Sequence, residues 1–138
     1  MNAIDILQTE ESKLNFIKGL IRLAKADGII DNNEIVFYKQ VAVGLGMSND
    51  SINEIEYFHN TDDKICFSFS SNEEKMFFII QAVQLCWMDS EYVDSERQEM
   101  RSICKELGIS EEALIEVEKW VQQGVEWNKS GDKLLYLS

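Results

Sequence analysis

The feature that most constrains this fold is an internal repeat, in which residues 14–58 return as residues 76–120 at a constant offset of 62 positions. The offset holds without gaps across apolar positions, turns and acidic residues. Matched pairs include Phe16 with Phe78, Leu23 with Leu85, Asp27 with Asp89, Glu34 with Glu96, Val41 with Ile103 and Leu45-Gly46 with Leu107-Gly108. A unit of this size buries little apolar surface alone, so we expect the two copies to pack together about a pseudo-two-fold axis.

Each copy carries three helical segments. In the first copy, apolar residues at helical spacing predict a helix from Thr9 to about Ala26. A capping box at residues 31–34 begins a second helix that ends at Gly46, and Ser48 or Asn49 caps a third. Proline is absent, which permits helix throughout. The sequence therefore predicts an all-α fold, a single compact helical bundle of two three-helix repeats that forms one domain over the whole chain.

Two stretches lie outside the repeat. Residues 59–74 lack helical periodicity, and their Ile65, Phe67 and Phe69 alternate as in a short strand. Because no second strand is present to pair with it, we expect a loop whose aromatic side chains pack against the bundle. The chain ends in the apolar run 134–137, which we expect to pack back as a short helix, with a docking segment as the alternative.

The charge balance restricts the classes of partner. The formal net charge is −12, from 25 acidic and 13 basic residues. Nucleic acids and anionic membranes are bound through clusters of Lys and Arg, so neither is expected as a partner. Cations or a basic protein partner fit this charge, and an acidic surface that only maintains solubility is the alternative.

The cysteines and the termini bear on the cellular compartment. Cys66, Cys86 and Cys104 are odd in number and form no CxxC pair, so we expect neither a zinc site nor a disulfide framework. Residues 1–5 lack a basic region followed by an apolar run, which argues against a signal peptide. No stretch reaches the roughly 18 apolar residues that a membrane span needs. We therefore expect a cytoplasmic protein without membrane insertion.

The acidic turn at residues 27–34 has the spacing of the second half of an EF-hand calcium loop. A calcium site needs six to eight oxygen ligands, several of them from the first half of the loop. Those earlier positions are held by Leu23 and Lys25 in the first copy and by Leu85 and Trp87 in the second. Neither turn is an EF-hand.

Two sets of carboxylates remain in these turns. The candidate metal-binding residues are Asp27, Asp31 and Glu34 in the first copy and Asp89, Asp94 and Glu96 in the second, with Glu91 nearby. One interpretation is structural: Asp31 and Asp94 cap helices, Glu34 completes a capping box and Asp27 accepts from backbone N–H groups. The other is a weak site for Mg²⁺, Ca²⁺ or Mn²⁺, or an acidic docking surface. No cofactor is required by either interpretation.

Residues suited to catalysis are sparse. The single histidine, His59, lies at a predicted helix end, where it more often caps carbonyls than acts as a base. No phosphate loop, nucleophile elbow or metal-hydrolase motif is present. Trp87, Trp120 and Trp127 could line a pocket, but aromatic residues at helical spacing are usually core. We therefore expect a protein that is not an enzyme.

The first turn also carries a resemblance. Lys25-Ala26-Asp27-Gly28-Ile29-Ile30-Asp31-Asn32-Asn33-Glu34, after the apolar run 20–24, resembles the signature of tellurite-resistance TerB-like domains, and Leu45-Gly46-Met47-Ser48 extends the match. Similar domains occur in some membrane-anchored DnaJ-type co-chaperones. The resemblance covers roughly residues 10–125, and duplicated halves are typical of that all-helical fold.

The resemblance implies a small cytoplasmic helical domain that is linked to stress or tellurite resistance and is not known as an enzyme. Its acidic residues are the implied candidates for metal binding. The positions that match the family motif are Asp27, Gly28, Ile30 and Glu34, with Asp89 and Glu96 as their counterparts in the second copy. Ser90 replaces the glycine there, so we expect a different backbone shape. No J-domain is present, and a co-chaperone role is not implied.

Two hypotheses about function follow. The first is a non-enzymatic, TerB-like stress-response or interaction module whose acidic turns bind a divalent cation or a basic partner. The second is a small-molecule binder or an enzyme with a pocket between the two halves, lined by Trp87 or Trp120. A scaffold for oligomers is a third possibility, and the sequence does not fix the oligomeric state.

Overall fold

A computed structural model describes residues 1–27, 32–88 and 92–138, and the side chains of Asp27 and Asn32 also fall outside the described part. These residues form seven α-helices and two short 3-10 helices, and no strand occurs among them. The α-helices are α1 (Ala3–Ile6), α2 (Glu10–Ala24), α3 (Asn32–Gly44), α4 (Asn49–Asn60), α5 (Asn72–Met88), α6 (Asp94–Leu107) and α7 (Glu111–Asp132). The prediction of an all-α fold is confirmed.

The six longer helices begin in pairs at the repeat offset. Helices α2, α3 and α4 start at residues 10, 32 and 49, and α5, α6 and α7 start at residues 72, 94 and 111. Each pair of starts is therefore 62 positions apart. The pseudo-two-fold packing of the two repeats remains a prediction.

Local capping chemistry explains these starts. Thr9 Oγ1 accepts from the N–H of Ser12 at 3.0 Å, and Ser48 caps α4 through the N–H of Ser51 at 3.2 Å. A capping box starts α5, in which the N–H of Glu74 donates to Ser71 Oγ at 3.1 Å and the N–H of Ser71 donates to the Glu74 carboxylate at 3.2 Å.

Chain contacts group the residues into two units, 1–78 and 79–138, and the division falls within α5. In the first unit α2, α3 and α4 contact one another. The connector between α4 and α5 is the loop that the sequence predicts, with Ile65 buried and the rings of Phe67 and Phe69 lying 5.2 and 5.7 Å from that of Phe78. The prediction of one domain over residues 1–138 is not tested by this grouping.

In the second unit α6 contacts α7, and the buried residues of α7 all lie in its first half. The helix continues to Asp132, and a 3-10 helix follows at Lys133–Tyr136. The expected packing of the tail is wrong, because Leu134, Leu135, Tyr136 and Leu137 are 66–86% exposed. Without a proline to break it, α7 runs on past its buried part. No helix in the described segments is long and apolar enough to cross a membrane.

Candidate functional site

The first acidic turn lies mostly outside the described residues, including Asp31 and the side chain of Asp27. Glu34 is in the first turn of α3 and is half-buried. Beside the turn, the ammonium group of Lys25 donates to the backbone carbonyls of Phe58, at 3.2 Å, and Thr61. A position that holds a ligand in a calcium loop is thus occupied by a lysine that satisfies the carbonyl end of α4.

The second acidic turn is described from its last residues onward. Asp89 and Glu91 lie outside the described part. Helix α6 begins at Asp94 and its N-cap position is Val93, so the prediction that Asp94 caps this helix is wrong. The carboxylate of Glu96 accepts from the N–H of Val93 at 3.1 Å, which fixes the helix start one residue earlier than an aspartate cap would. Glu96 therefore contributes to the start of α6.

Two arginines stand next to this second turn. The guanidinium of Arg97 lies 4.2 Å from the ring centroid of Tyr92, and its Nε donates to the carbonyl of the same residue at 3.1 Å. Arg101 donates twice to the nearly buried carboxylate of Glu118, at 3.0 and 3.2 Å, and Arg97 lies 3.7 Å from that carboxylate. Burial, and then the nearby carboxylate of Glu118, raise the pKa of Tyr92 well above its usual value. The carboxylate already has two cationic partners, which leaves little charge there for a metal ion.

The other residues with reactive groups are buried or isolated. His59 is fully buried, with its ring 6.4 Å from that of Tyr38. Cys86 and Cys104 are buried, whereas Cys66 is exposed. Burial raises the pKa of Cys104 to about 11, so its thiol is protonated at neutral pH. Among the residues that the structure describes, no His, Cys, Asp and Glu side chains group as they would around a metal ion.

A groove of about 650 Å³ lies within the second unit, between the end of α5 and the second half of α7. Both Trp87 and Trp120 line it, together with Met88, and Lys129 and Asp132 supply charged groups. The indole Nε1 of Trp87 is buried and meets no acceptor in the described segments. The volume lies within the range of ligand pockets.

The second half of α7 exposes a regular apolar surface. Trp120, Gly124, Trp127 and Gly131 are spaced alternately by four and three residues, which places them on one side of α7, and Leu134 continues the spacing in the 3-10 helix that follows. We call these five residues the α7 stripe. From residue 122 to the end of the helix no side chain is buried. A side chain added at either glycine would meet nothing within 4 Å.

The α7 stripe was not foreseen. Trp120 and Trp127 are 51% and 76% exposed, so the interpretation of these residues as core is wrong. The alternating spacing is present in the sequence, but two glycines and the polar run 128–131 conceal it because they lower the helix propensity of the segment.

Comparison with other proteins adds no further assignment. No known protein family, characterised protein or solved structure matches the chain. The resemblance to TerB-like domains therefore rests on the residues of the first turn and on residues 45–48.

Proposed function

We propose that this chain is a non-enzymatic interaction module that binds a protein partner through the α7 stripe. The observation that carries the proposal is that residues 122–132, the second half of α7, bury no side chain, while Trp127 within them, Trp120 before them and Leu134 after them are all exposed. Contiguous exposed apolar surface of this kind marks binding sites on soluble proteins, whereas single exposed apolar residues are ordinary.

The energetic balance of this half-helix supports a partner. Isolated helices of this length are marginal in water, and each interior glycine costs about 1 kcal/mol relative to alanine. Burying one large apolar side chain contributes roughly 1.5–3 kcal/mol. A partner that covers Trp120, Trp127 and Leu134 would offset the cost of keeping Gly124 and Gly131 in a helix.

Covalent capture tests the proposal. A photoreactive phenylalanine analogue is placed at position 127, and at position 43 as a control, because Val43 is also exposed, at 66%, but lies on α3. Irradiation in the producing cells is expected to give a discrete protein adduct from position 127 and none from position 43. Without an adduct from position 127, the stripe is not the binding surface.

The resemblance to TerB-like domains supports a cytoplasmic stress-response setting for this module. The same proposal includes the acidic turns as a secondary site for a divalent cation or a basic partner, supported by the net charge of −12. Calorimetric titration with Ca²⁺, Mg²⁺, Mn²⁺ and Zn²⁺ tests the cation site, using the natural chain and a variant with Asp27→Asn and Glu34→Gln. Binding must be present in the natural chain and lost in the variant for this part to stand.

A second candidate function is the binding of a small molecule in the α5–α7 groove. It is favoured by the volume of the groove and by its mixed lining, in which Trp87, Trp120 and Met88 lie beside charged groups of Lys129 and Asp132. Native mass spectrometry of the purified chain is expected to show a retained small molecule. The substitution Val125→Trp, which fills the groove from α7, should remove it, while Val43→Trp should not. A chain that carries no added mass argues against this candidate.

A further inference from the structure

We infer that the partner of the α7 stripe is a second copy of this chain, bound by antiparallel pairing of the two α7 helices. This inference rests on the proposed function, since it names the partner of the same surface. It is carried by two properties of the stripe, its shape and its charge.

The shape of the stripe is complementary to itself. In an antiparallel helix pair, each position of one seam packs between the alternate positions of the other. When the two-fold axis passes between Val125 and Glu126, Trp127 faces Gly124 of the other copy, and Trp120 faces Gly131. The bulky indoles then fill the open space above the glycines, where an added Cβ has no neighbour within 4 Å. A parallel pair would instead place tryptophan against tryptophan and glycine against glycine.

The charge of the region permits two copies to approach. Residues 119–138 hold three lysines and two acids, a net charge of +1. The first 118 residues therefore carry a net charge of −13, and the sum is the −12 of the whole chain. Two copies that approach through the first 118 residues repel each other because both surfaces are acidic. Residues 119–138 are close to neutral, so this repulsion is small there. The positions that flank the stripe also lack charge: Val121, Gln123, Asn128, Ser130 and Leu135.

The uncharged positions beside the α7 stripe also favour a second copy of this chain over other partners. A basic partner would be drawn to the acidic first part of the chain rather than to a segment that is close to neutral. A stripe that alternates large and absent side chains selects a partner with the reverse alternation, and an antiparallel copy provides it.

The test exchanges the large and small residues between two copies. Gly124→Leu fills the space that receives Trp127, and Trp127→Ala removes the side chain that fills it. Each variant alone is expected to weaken self-association by about tenfold or more, measured by sedimentation across a concentration series. An equal mixture of the two variants should regain the association of the natural chain. In the mixed pair the leucine introduced at position 124 of one copy meets the alanine introduced at position 127 of the other, and the remaining Trp127 meets the remaining Gly124. Circular dichroism checks that both variants remain helical, and Val43→Ala is the control.

The outcomes separate the inference from the proposed function. A crosslinked adduct from position 127 at twice 15.9 kDa, together with restored association in the mixture, supports the antiparallel pair. A natural chain that sediments as one copy throughout, or a mixture that associates no better than its components, overturns it. If position 127 then captures a different protein, the proposed function survives without the second copy. If it captures nothing, both fail.

Discussion

Replacing Gly19 by alanine tests how tightly the first unit is packed. Gly19 lies inside α2, where a Cβ would stand 2.4 Å from Cε1 and 2.6 Å from Cζ of Phe78, and 3.0 Å from the ring of Phe67. Ordinary contact begins at about 3.4 Å, so the ring of Phe78 would have to retreat by about 1 Å. That ring is fully buried and is in contact with the rings of Phe16, Phe67 and Phe69.

The magnitude follows from two opposing effects. Forcing extra volume into a packed core costs about 1–3 kcal/mol, and alanine in a helix interior gains about 1 kcal/mol over glycine. Because three rings confine Phe78, we expect Gly19→Ala to lower the free energy of unfolding by about 1–2 kcal/mol. Gly124→Ala in α7 is the matched comparison, since nothing lies near its Cβ, and in dilute protein it should stabilise the chain by about 1 kcal/mol.

The assay is urea-induced unfolding followed by circular dichroism, with each variant compared with the natural chain. Phe78→Leu is added to Gly19→Ala to complete a double-mutant cycle. Since the smaller side chain leaves room for the new methyl group, the double variant should lose less than the sum of the two single variants. If Gly19→Ala raises the free energy of unfolding as Gly124→Ala does, this account of the packing around Phe78 is refuted.

Three further predictions concern charge and burial. The backbone N–H of Ser48 donates to Glu10 and lowers its pKa, so Glu10→Gln should reduce the melting temperature at neutral pH, and the difference should vanish once the pH falls below that lowered pKa. An equal difference at all pH values would contradict this. Under native conditions iodoacetamide should modify Cys66 quickly and Cys104 only on unfolding, as peptide mass spectrometry would show. Glu118→Ala removes two hydrogen bonds to a charged guanidinium and should cost about 1.5–3 kcal/mol in urea unfolding, and a loss below about 0.5 kcal/mol would mean that this pair is not stabilising.

Much of the secondary structure could be predicted because it depends on neighbours in the sequence. A hydroxyl at Thr9, Ser48 or Ser71 accepts from an N–H three residues later, and this chemistry needs no distant contact. Gly46, which ends the helical pattern after α3, has the left-handed φ of 73° that glycine tolerates. These local rules fix the starts of α2, α4 and α5.

The candidate site depended on tertiary structure and was less predictable. Whether Trp127 is core or surface is decided by what lies beside α7, and the helical spacing is the same in both cases. Asp94 looked like a helix cap because it precedes a charged helix, but Glu96 satisfies the first N–H instead. The metal site predicted at Asp27, Asp31, Glu34, Asp89, Asp94 and Glu96 stays a prediction, because Asp31, Asp89 and the side chain of Asp27 fall outside the described residues.

Matching ion pairs in the two copies of the repeat differ in burial. Lys39 pairs with Glu56 between α3 and α4, and the positions 62 residues later, Arg101 and Glu118, pair between α6 and α7. The first pair is exposed, and the hydrogen bond from Lys39 lowers the pKa of Glu56. In the second pair the carboxylate is only 11% exposed and the arginine binds it with two hydrogen bonds.

Beyond this ion pair the third helices of the two copies differ in length. Helix α4 ends at Asn60, whose counterpart in the repeat is Gln122, yet α7 continues to Asp132. The whole of that extension lies in the half-helix without buried side chains, and it holds Trp127 and Gly131 of the α7 stripe. The more buried ion pair, Arg101 with Glu118, joins α6 to α7 just before this extension begins. Because the first copy lacks both the extension and the exposed tryptophans, the packing of a copy does not require them, and this difference supports the binding role that we propose for the α7 stripe.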